Sequence, residues 1–269
     1  MFLFLDHWHD ILPREGGHVV ALFGGGGKTS LLQAMAAALD VDGVRVCITT
    51  TTRTEPLDWP DLRVVEYAKL RLGACETGSS TVFVHGGILP GDGNTPEKWA
   101  GLEPSDVDEL SNLLPDHVVL VEADGSSGLP VKLHRDDEPR FPARTSLAIP
   151  VVGLSCIGAQ PGRVLHRIGR LAHDHLELAP DEPWNWDHAI ALLARPDGYL
   201  GRIPVGVPVL LALLQMDECD DAIGLFSFVG RAMDELDLPV VLLGDTSGPE
   251  PRLRTVCKPD PEGGDDDGD

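Results

Sequence analysis

Short runs of apolar and β-branched residues alternate along the chain with longer stretches whose apolar positions recur at helical spacing. The apolar runs predict strands, at residues 18–23, 44–50, 81–85, 118–121, 146–153, 207–214 and 239–243. The longer stretches predict helices, at residues 29–39, 103–114, 187–194 and 220–236, with Ser105 as the N-cap of the second. Strands that alternate with helices predict an α/β fold, whose mainly parallel sheet is covered by helices on both faces.

The alternating pattern continues without a clear linker to residue 257. A chain of 269 residues suits one large domain or two small ones, and we predict a single α/β domain over residues 1–257 with loop insertions. Residues 258–269 are rich in Gly, Asp, Glu and Pro and have no apolar anchors, which predicts a disordered acidic tail.

The chain is strongly acidic, with 43 Asp and Glu against 21 Lys and Arg and a net charge of −22. Phosphate backbones and anionic lipids both bind clusters of basic residues, so this charge argues against nucleic acid and membrane as partners. An excess of Asp over Lys also resembles proteins from high-salt cytoplasm, where salt screens self-repulsion. An acidic protein from a GC-rich genome is the alternative explanation.

The apolar runs and the cysteines indicate the compartment. No run approaches the roughly 20 residues that span a bilayer, and the apolar start of the chain lacks the basic segment of a signal peptide. The five cysteines are scattered and form no C-x-x-C pair. Cys47 lies within a predicted strand, where we expect it to be buried and unreactive. These features predict a cytoplasmic protein with reduced thiols.

A glycine-rich loop connects the first predicted strand to the first predicted helix. Glycine lets the backbone approach a phosphate closely, and the N–H groups of a helix N-terminus point at the anion. Lys28 would then reach the terminal phosphates, and the Thr29 hydroxyl would coordinate Mg²⁺. The loop predicts binding of Mg²⁺ with ATP or GTP by Gly24, Gly25, Gly26, Gly27, Lys28, Thr29 and Ser30. It is shorter than the standard Walker A (P-loop) motif, because Leu22 stands at the position of the first glycine; a flexible glycine turn is the alternative.

Two acidic residues follow the apolar strand at 118–121. In P-loop enzymes a carboxylate at such a strand end lies beside the phosphate loop and holds Mg²⁺ or its water ligands. Glu122 and Asp124 are two residues apart, so in extended geometry their side chains point to the same side. We expect Asp124 to bind the metal, with Glu122 as the alternative ligand, and the other carboxylate to orient a water. An ordinary acid at a strand end is the structural alternative.

Three further positions carry candidate polar chemistry. The hydroxyls of residues 49–52, Thr51 among them, could face a γ-phosphate or Mg²⁺ as switch loops do, or form a Thr-capped turn. Lys132 follows a Gly-Leu-Pro turn and could bind an anionic substrate, although a surface lysine is the alternative. His166 and Arg167 could contact an anion from another loop, or lie solvated on that loop.

These motifs together resemble the selenium-dependent molybdenum hydroxylase accessory protein (YqeC) family, over residues 17–245. They are GGGGKTS, the run of four threonines, VEADGSSGLPVK, EPRFP, VVGLSCIG and the adjacent histidine and arginine at 166–167. The E-A-D-G-S-x-G-x-P-x-K string is the specific part. Members of this family are P-loop proteins found with molybdenum hydroxylases that depend on labile selenium. The resemblance therefore implies a role in the maturation of such an enzyme, by modification or insertion of its cofactor.

The resemblance also implies site residues, position by position. In this sequence they are Gly24, Gly26, Gly27, Lys28, Thr29, Thr50, Thr51, Glu122, Asp124, Gly125, Ser126, Gly128, Pro130, Lys132, Glu138, Pro139, Pro142, His166 and Arg167. The family usually has a proline two residues after the lysine and a histidine before Glu-Pro, where this chain has His134 and Asp137. The family also tends to have Asn-Gln or Asn-Lys ahead of an aspartate. This chain has Leu214-Gln215-Met216-Asp217, without the asparagine of a guanine-reading N-K-x-D element.

The first functional hypothesis is a Mg²⁺-dependent nucleoside-triphosphate hydrolase. The glycine amides and Lys28 would stabilise charge on the phosphoryl group, and Thr29 and Asp124 would hold Mg²⁺. Glu122 or a hydroxyl near Thr51 would position the nucleophile.

Two other hypotheses use the same loop. One is a small-molecule kinase or nucleotidyl transferase, in which Lys132 and Arg167 hold an anionic acceptor. The other is a non-catalytic binder of a cofactor such as molybdopterin dinucleotide, whose pyrophosphate would suit the loop. In all three the protein is an accessory factor for a molybdenum hydroxylase or its pterin cofactor.

Overall fold

The computed structural model describes residues 3–60, 62–74, 80–91, 96–170, 178, 182–246 and 250–258. Its strands are β1 (Leu3–Leu5), β2 (Val19–Gly24), β3 (Arg45–Thr50), β4 (Arg63–Glu66), β5 (Thr81–His85), β6 (Gly87–Leu89), β7 (Lys98–Ala100), β8 (His117–Glu122), β9 (Val131–Lys132), β10 (Thr145–Gly153), β11 (Leu165–His166), β12 (Leu211–Leu214), β13 (Val240–Asp245) and β14 (Arg252–Cys257). Its helices are α1 (Lys28–Val41), α2 (Tyr67–Arg71), α3 (Pro104–Leu113), α4 (Pro161–Val164), α5 (Trp186–Ala194) and α6 (Ala222–Glu235). The predicted acidic tail lies outside the described residues, apart from Lys258.

Ten of the strands form one sheet, in the order β1-β14-β13-β12-β10-β2-β8-β3-β5-β4. From β13 to β4 all neighbours are parallel, whereas β14 runs antiparallel to both β13 and β1. Two short ladders lie apart from this sheet, one between β6 and β7 and one between β9 and β11. The predicted, mainly parallel sheet is confirmed, with an antiparallel addition at one end.

Helices cover both faces of the sheet. Val20 and Leu22 of β2 lie in one apolar core with Leu31 of α1, whereas Ala21 and Phe23 lie in a second core that includes residues of α5 and α6. Side chains alternate between the two faces of a strand, so a central strand of a covered sheet is apolar on both sides. The fold therefore has three layers, as in P-loop proteins.

The strand order decides where a site can form. β2 is central, between β8 and β10, and all three strands point the same way. The loops that follow β2, β8 and β3 therefore leave from the same carboxyl edge of the sheet. In open α/β sheets this edge is where ligands bind.

Most predicted elements are confirmed with small shifts at their ends, and three details are corrected. The N-cap of α3 is Glu103, whose side chain makes no capping hydrogen bond; Ser105 lies inside the first turn and is not the cap. The strand predicted at 207–214 is confined to β12. The strand predicted at 239–243 is not the final one, because β14 follows it.

The structure also bears on the membrane and thiol predictions. Across the ranges given above, no helix has both the length and the apolar character that a bilayer crossing requires. Cys47 is fully buried in β3, and burial raises the pKa of its thiol. Because the thiolate is the reactive form, Cys47 is expected to be inert, as its sequence position predicts.

Helix α5 begins with a reciprocal cap that provides a test of local stability. The Asn185 side chain accepts a hydrogen bond from the His188 N–H at 3.0 Å, and His188 Nδ1 accepts one from the Asn185 N–H at 3.2 Å. We expect Asn185→Ala to lower the free energy of unfolding by about 1 kcal/mol. Urea unfolding measures the change, and Asn185→Ser should recover most of the loss. Equal stability of the alanine and serine variants would contradict this role.

Candidate functional site

The glycine-rich loop joins β2 directly to α1, with only Gly25, Gly26 and Gly27 between them. At Gly24 φ is +100°, and an added Cβ would lie 2.3 Å from the carbonyl oxygen of Val151. At Gly26 φ is +76°, and an added Cβ would lie 2.4 Å from the Gly153 Cα. The loop can therefore be this short and this close to β10 only with glycine. The first N–H groups of α1 lack partners within the helix and open toward the loop.

Lys28, the first residue of α1, folds back over the loop. Its side chain is 3% exposed, and Nζ donates a hydrogen bond to the carbonyl oxygen of Gly24 at 2.6 Å. The same Nζ lies 3.5 Å from Glu122 Oε1 and 3.4 Å from Asp124 Oδ1. The glycine-rich loop and both predicted carboxylates thus meet at one ammonium group.

Asp124 is completely buried and surrounded by donors. Its two oxygens accept the Gly24 N–H at 2.9 and 3.1 Å, and Oδ2 lies 3.1 Å from Lys132 Nζ and 2.9 Å from His134 Nε2. Burial alone would raise its pKa, but the charges of Lys28 and Lys132 and the contact with His134 hold the pKa well below its usual range. Asp124 is therefore ionised, and it fixes the loop and its neighbouring cations.

Glu122 is the more accessible of the two carboxylates. Its side chain is 15% exposed, and Oε2 accepts a hydrogen bond from the Thr29 hydroxyl at 3.4 Å. Burial raises its pKa, although the neighbouring charge of Lys28 opposes the rise. Carboxylate and hydroxyl oxygens are ligands that Mg²⁺ accepts. Between the two residues predicted as metal ligands, the geometry favours Glu122 over Asp124.

Lys132 is neither a surface lysine nor open to a ligand. It is completely buried, and its ammonium contacts Asp124 Oδ2 at 3.1 Å, Glu138 Oε2 at 2.8 Å and the Gly125 carbonyl oxygen at 2.7 Å. An ammonium has three N–H donors, and these three contacts use them. Glu138 is in turn held by both terminal nitrogens of Arg167. We call this series of alternating charges, Lys28–Asp124–Lys132–Glu138–Arg167, the charged chain.

The charged chain predicts a specific pH dependence of stability. Burial favours the neutral form of Glu138, but the hydrogen bonds from Arg167 and Lys132 lower its pKa to about 2. A carboxyl whose pKa is lower in the folded state adds stability above its unfolded pKa of about 4.3. That contribution disappears as the pH falls from about 4.3 toward 2.

Glu138→Gln should therefore destabilise the protein at pH 7, and the deficit relative to the parent should shrink as the pH is lowered to 3. Urea unfolding at several pH values measures the deficit. Asp137→Asn is the matched control, because Asp137 is the exposed neighbour in the same loop. A deficit that is the same at pH 7 and pH 3 would disprove the assignment.

The threonine run is used mainly within the protein. The Thr49 hydroxyl donates to the Val84 carbonyl at 2.7 Å, and the hydroxyls of Thr50 and Thr51 donate to the Glu122 carbonyl at 3.1 and 3.5 Å. These bonds tie together the carboxyl ends of β3, β5 and β8. Of the two interpretations of the run, the arrangement favours the structural one.

Arg167 and His166 line a cleft of about 910 Å³ at the carboxyl ends of β3 and β8, and we call it the arginine cleft. Its other lining residues include Thr52, Arg53, Glu103, Gly125, Ser127, Arg135, Asp137, Glu138 and Arg140. Sequence reasoning found Arg167 but missed the other three arginines. The scarcity of basic residues in so acidic a chain was the available signal.

A second pocket, of about 600 Å³, lies at the carboxyl ends of β12 and β13, and we call it the carboxylate pocket. Its lining includes the acidic residues Asp217 and Asp245, the basic residues Arg252 and Arg254, and the apolar residues Trp8, Met216, Phe226, Leu243 and Leu253. The Asp217 N–H donates to Asp245 Oδ1 at 3.2 Å, which places the two acidic residues together.

The carboxylate pocket adjoins the glycine-rich loop. A Cβ on Gly26 would lie 3.0 Å from Gln215 Oε1, and a Cβ on Gly27 would lie 3.5 Å from Thr246 Oγ1. Gln215 directly precedes Met216, and Thr246 directly follows Asp245; Met216 and Asp245 both line the carboxylate pocket. Sequence reasoning noted Gln215 and Asp217 only as a departure from an N-K-x-D element, and Asp245 had no signal of its own.

The fold and the site define a three-layer α/β protein with a glycine-rich loop at the carboxyl edge of a mainly parallel sheet. The chain belongs to the YqeC family, whose model, described as YqeC protein, matches residues 20–169. A relative from Escherichia coli (strain K12), named "Uncharacterized protein YqeC", is 30% identical over 239 residues, which cover 88% of this chain and 90% of the relative. The range matched by the family model contains the glycine-rich loop, the charged chain and the arginines of the arginine cleft.

Proposed function

We propose that the protein binds a nucleoside triphosphate with Mg²⁺ and hydrolyses it, as a cytoplasmic accessory factor in the maturation of a selenium-dependent molybdenum hydroxylase. One observation carries the nucleotide-binding part. A lysine at the start of α1 lies against a tight glycine loop and within 3.5 Å of two carboxylates at the end of the neighbouring strand. The client enzyme follows only from the resemblance of the motifs to the family.

Phosphate binding would use contacts that the protein now makes with itself. The Lys28 ammonium would exchange the Gly24 carbonyl for phosphate oxygens. The open N–H groups of the loop and of α1 would donate hydrogen bonds to the remaining phosphate oxygens. Asp124 would stay in place, because it holds the Gly24 N–H, the Lys132 ammonium and the His134 ring. Donors that are already in position need little rearrangement when negative charge develops on the phosphoryl group.

Thr29 and Glu122 fit a magnesium ion best. Their oxygens lie 3.4 Å apart, the Glu122 side chain is 15% exposed beside Lys28, and both are hard ligands. When bound, Mg²⁺ would neutralise charge on the phosphates.

The carboxylate pocket supports guanine as the base. It adjoins Gly26 and Gly27 through Gln215 and Thr246. Guanine presents adjacent N–H donors at N1 and N2, which carboxylates such as Asp217 accept, whereas adenine presents an acceptor at N1. The apolar walls of the pocket would cover the faces of the ring.

Calorimetric titration of the purified chain with GTP and ATP, with and without Mg²⁺, tests this function together with an assay of released phosphate. We expect Mg²⁺-dependent binding that is tighter for GTP, and slow phosphate release without an added acceptor. Glu122→Gln should raise the Mg²⁺ concentration that half-maximal nucleotide binding requires at least about tenfold, because the variant loses one charged metal ligand. Glu15→Gln, at an exposed position, is the control.

The outcomes separate the alternatives. Failure to bind either nucleotide at millimolar concentration would overturn the proposal. Phosphate transfer that needs a second molecule would identify a kinase or nucleotidyl transferase. Tight retention of a dinucleotide cofactor without turnover would identify a binding protein for a molybdopterin-type cofactor.

A further inference from the structure

We propose that the arginine cleft is the binding site for a second ligand, a small molecule that carries a phosphate group, next to the nucleotide phosphates. The position beside those phosphates rests on the proposed nucleotide binding, but the cleft itself does not.

The arginine cleft brings four cationic side chains together in a strongly acidic chain. Four of the 16 arginines of the sequence line it, in a chain whose net charge is −22. Against them stand three acidic lining residues, Glu103, Asp137 and Glu138. The cleft therefore has an excess of positive charge inside a repulsive surface, which favours a small anion over a nucleic acid.

Three of the four arginines have donors that a ligand can take up. Among the described residues Arg53 is exposed and has no acidic group within 4 Å. Arg135 pairs with Asp137 and Arg140 with Glu103, whose side chains are 66% and 65% exposed, and Arg135 also contacts the buried Glu138 at 3.2 Å. Exposed ion pairs contribute little free energy, so a phosphate oxygen can replace Asp137 and Glu103 at small cost while Arg135 keeps its contact with Glu138.

The fourth arginine is fixed in place. Arg167 forms an ion pair with Glu138 and also donates a hydrogen bond to the Leu133 carbonyl at 3.3 Å. Its side chain is 23% exposed, and it lines the cleft. Its φ of +64° lies in the left-handed region, as does the φ of +53° at Ser127, another lining residue. Residues other than glycine adopt this backbone conformation only at a cost in free energy, and positions of this kind concentrate at ligand sites.

Several guanidinium groups around one cleft match a phosphate better than a single carboxylate. Each guanidinium can donate two parallel hydrogen bonds, and a phosphate offers three oxygens to receive them from different directions. The Ser127 hydroxyl lies in the same wall. A volume of about 910 Å³ accommodates a ligand of metabolite size.

The arginine cleft lies against the glycine-rich loop. Gly125 forms part of its wall and directly follows Asp124, which contacts Lys28. The segment after Gly125 packs on the loop so closely that a Cβ on Gly25 would lie 2.4 Å from the Leu129 carbonyl oxygen. A phosphate-bearing ligand in the cleft would thus be a neighbour of the nucleotide phosphates.

The test uses ribose 5-phosphate as the probe and succinate as a carboxylate comparison. Both are titrated into the full chain saturated with Mg²⁺ and a non-hydrolysable GTP analogue, so that the glycine-rich loop is already filled. We expect ribose 5-phosphate to bind at least tenfold more tightly than succinate. The double variant Arg53→Ala with Arg135→Ala should weaken that binding at least tenfold and leave nucleotide affinity unchanged.

Arg45→Ala with Arg231→Ala is the matched control, because the side chains are 60% and 37% exposed and both residues lie outside the arginine cleft. Equal binding by the two double variants, or competition between the probe and the nucleotide, would overturn the proposal. If the parent binds no nucleotide but still binds the probe in an Arg53- and Arg135-dependent way, the proposed function fails and the cleft assignment stands.

Discussion

Replacing Lys28 by alanine is expected to raise the Kd for Mg²⁺–GTP and Mg²⁺–ATP at least about 100-fold, as loss of two charge-assisted hydrogen bonds implies. The ammonium is the one side-chain cation that reaches the glycine-rich loop from α1, and it lies 2.6 Å from the Gly24 carbonyl oxygen. The loop should keep its conformation, because Asp124 still binds the Gly24 N–H. Calorimetric titration gives the affinities.

Lys69→Ala is the matched control for this variant. Lys69 lies on α2, its side chain is 66% exposed, and it pairs only with Glu66 three residues earlier in the salt bridges of the described residues. A Lys28→Ala protein that binds nucleotide as well as the control would show that the glycine-rich loop is not the nucleotide site. Circular dichroism of both variants separates loss of binding from loss of folding.

The second large effect is on stability, and it concerns Lys132. Removal of one partner from a buried ion pair costs about 3–5 kcal/mol, because the remaining charge stays buried and uncompensated. Lys132→Met keeps much of the side-chain volume but leaves Asp124 and Glu138 facing each other without their shared cation. We expect a loss of unfolding free energy in that range, measured by urea unfolding at pH 7.

Lys69→Met again supplies the control, since exposed substitutions change stability by no more than about 0.5 kcal/mol. If Lys132→Met and Lys69→Met unfolded at the same urea concentration, the charged chain would not stabilise the fold. Lys132→Arg is a useful third variant. It keeps the positive charge, but the buried site has no space for the longer, planar guanidinium group.

The central part of the fold could be predicted because each inner strand is apolar on both faces. β2, β8, β10 and β12 are fully buried or nearly so, and such runs stand out in the sequence. β1, β4 and β14 were missed because they are short or half exposed; in β14, exposed Arg252 and Arg254 alternate with buried residues. Their strand character comes from the neighbours they pair with.

The candidate site could likewise be predicted only in part from the sequence. Lys28, Glu122 and Asp124 could be placed together from sequence, because their segments follow parallel strands whose carboxyl ends share one edge. The burial of Lys132 could not be predicted, because it depends on the β9–β11 pairing and on Glu138.

The arginine cleft was also beyond sequence reasoning. Arg53 and Arg135 are separated by more than 80 positions, and no local pattern links them. They meet because β3 and β8 are neighbours in the sheet and the segments that follow both strands turn over the same edge.

The pairing of β1 with β14 sets an order of events during synthesis. Leu3 lies opposite Cys257 and Leu5 opposite Thr255, so the earliest described strand finds its partner some 250 residues later. A ribosome exposes the beginning of a chain long before its end, and contacts of such separation form last. Residues 3–5 must therefore wait, unpaired, until β14 has emerged and joined β13.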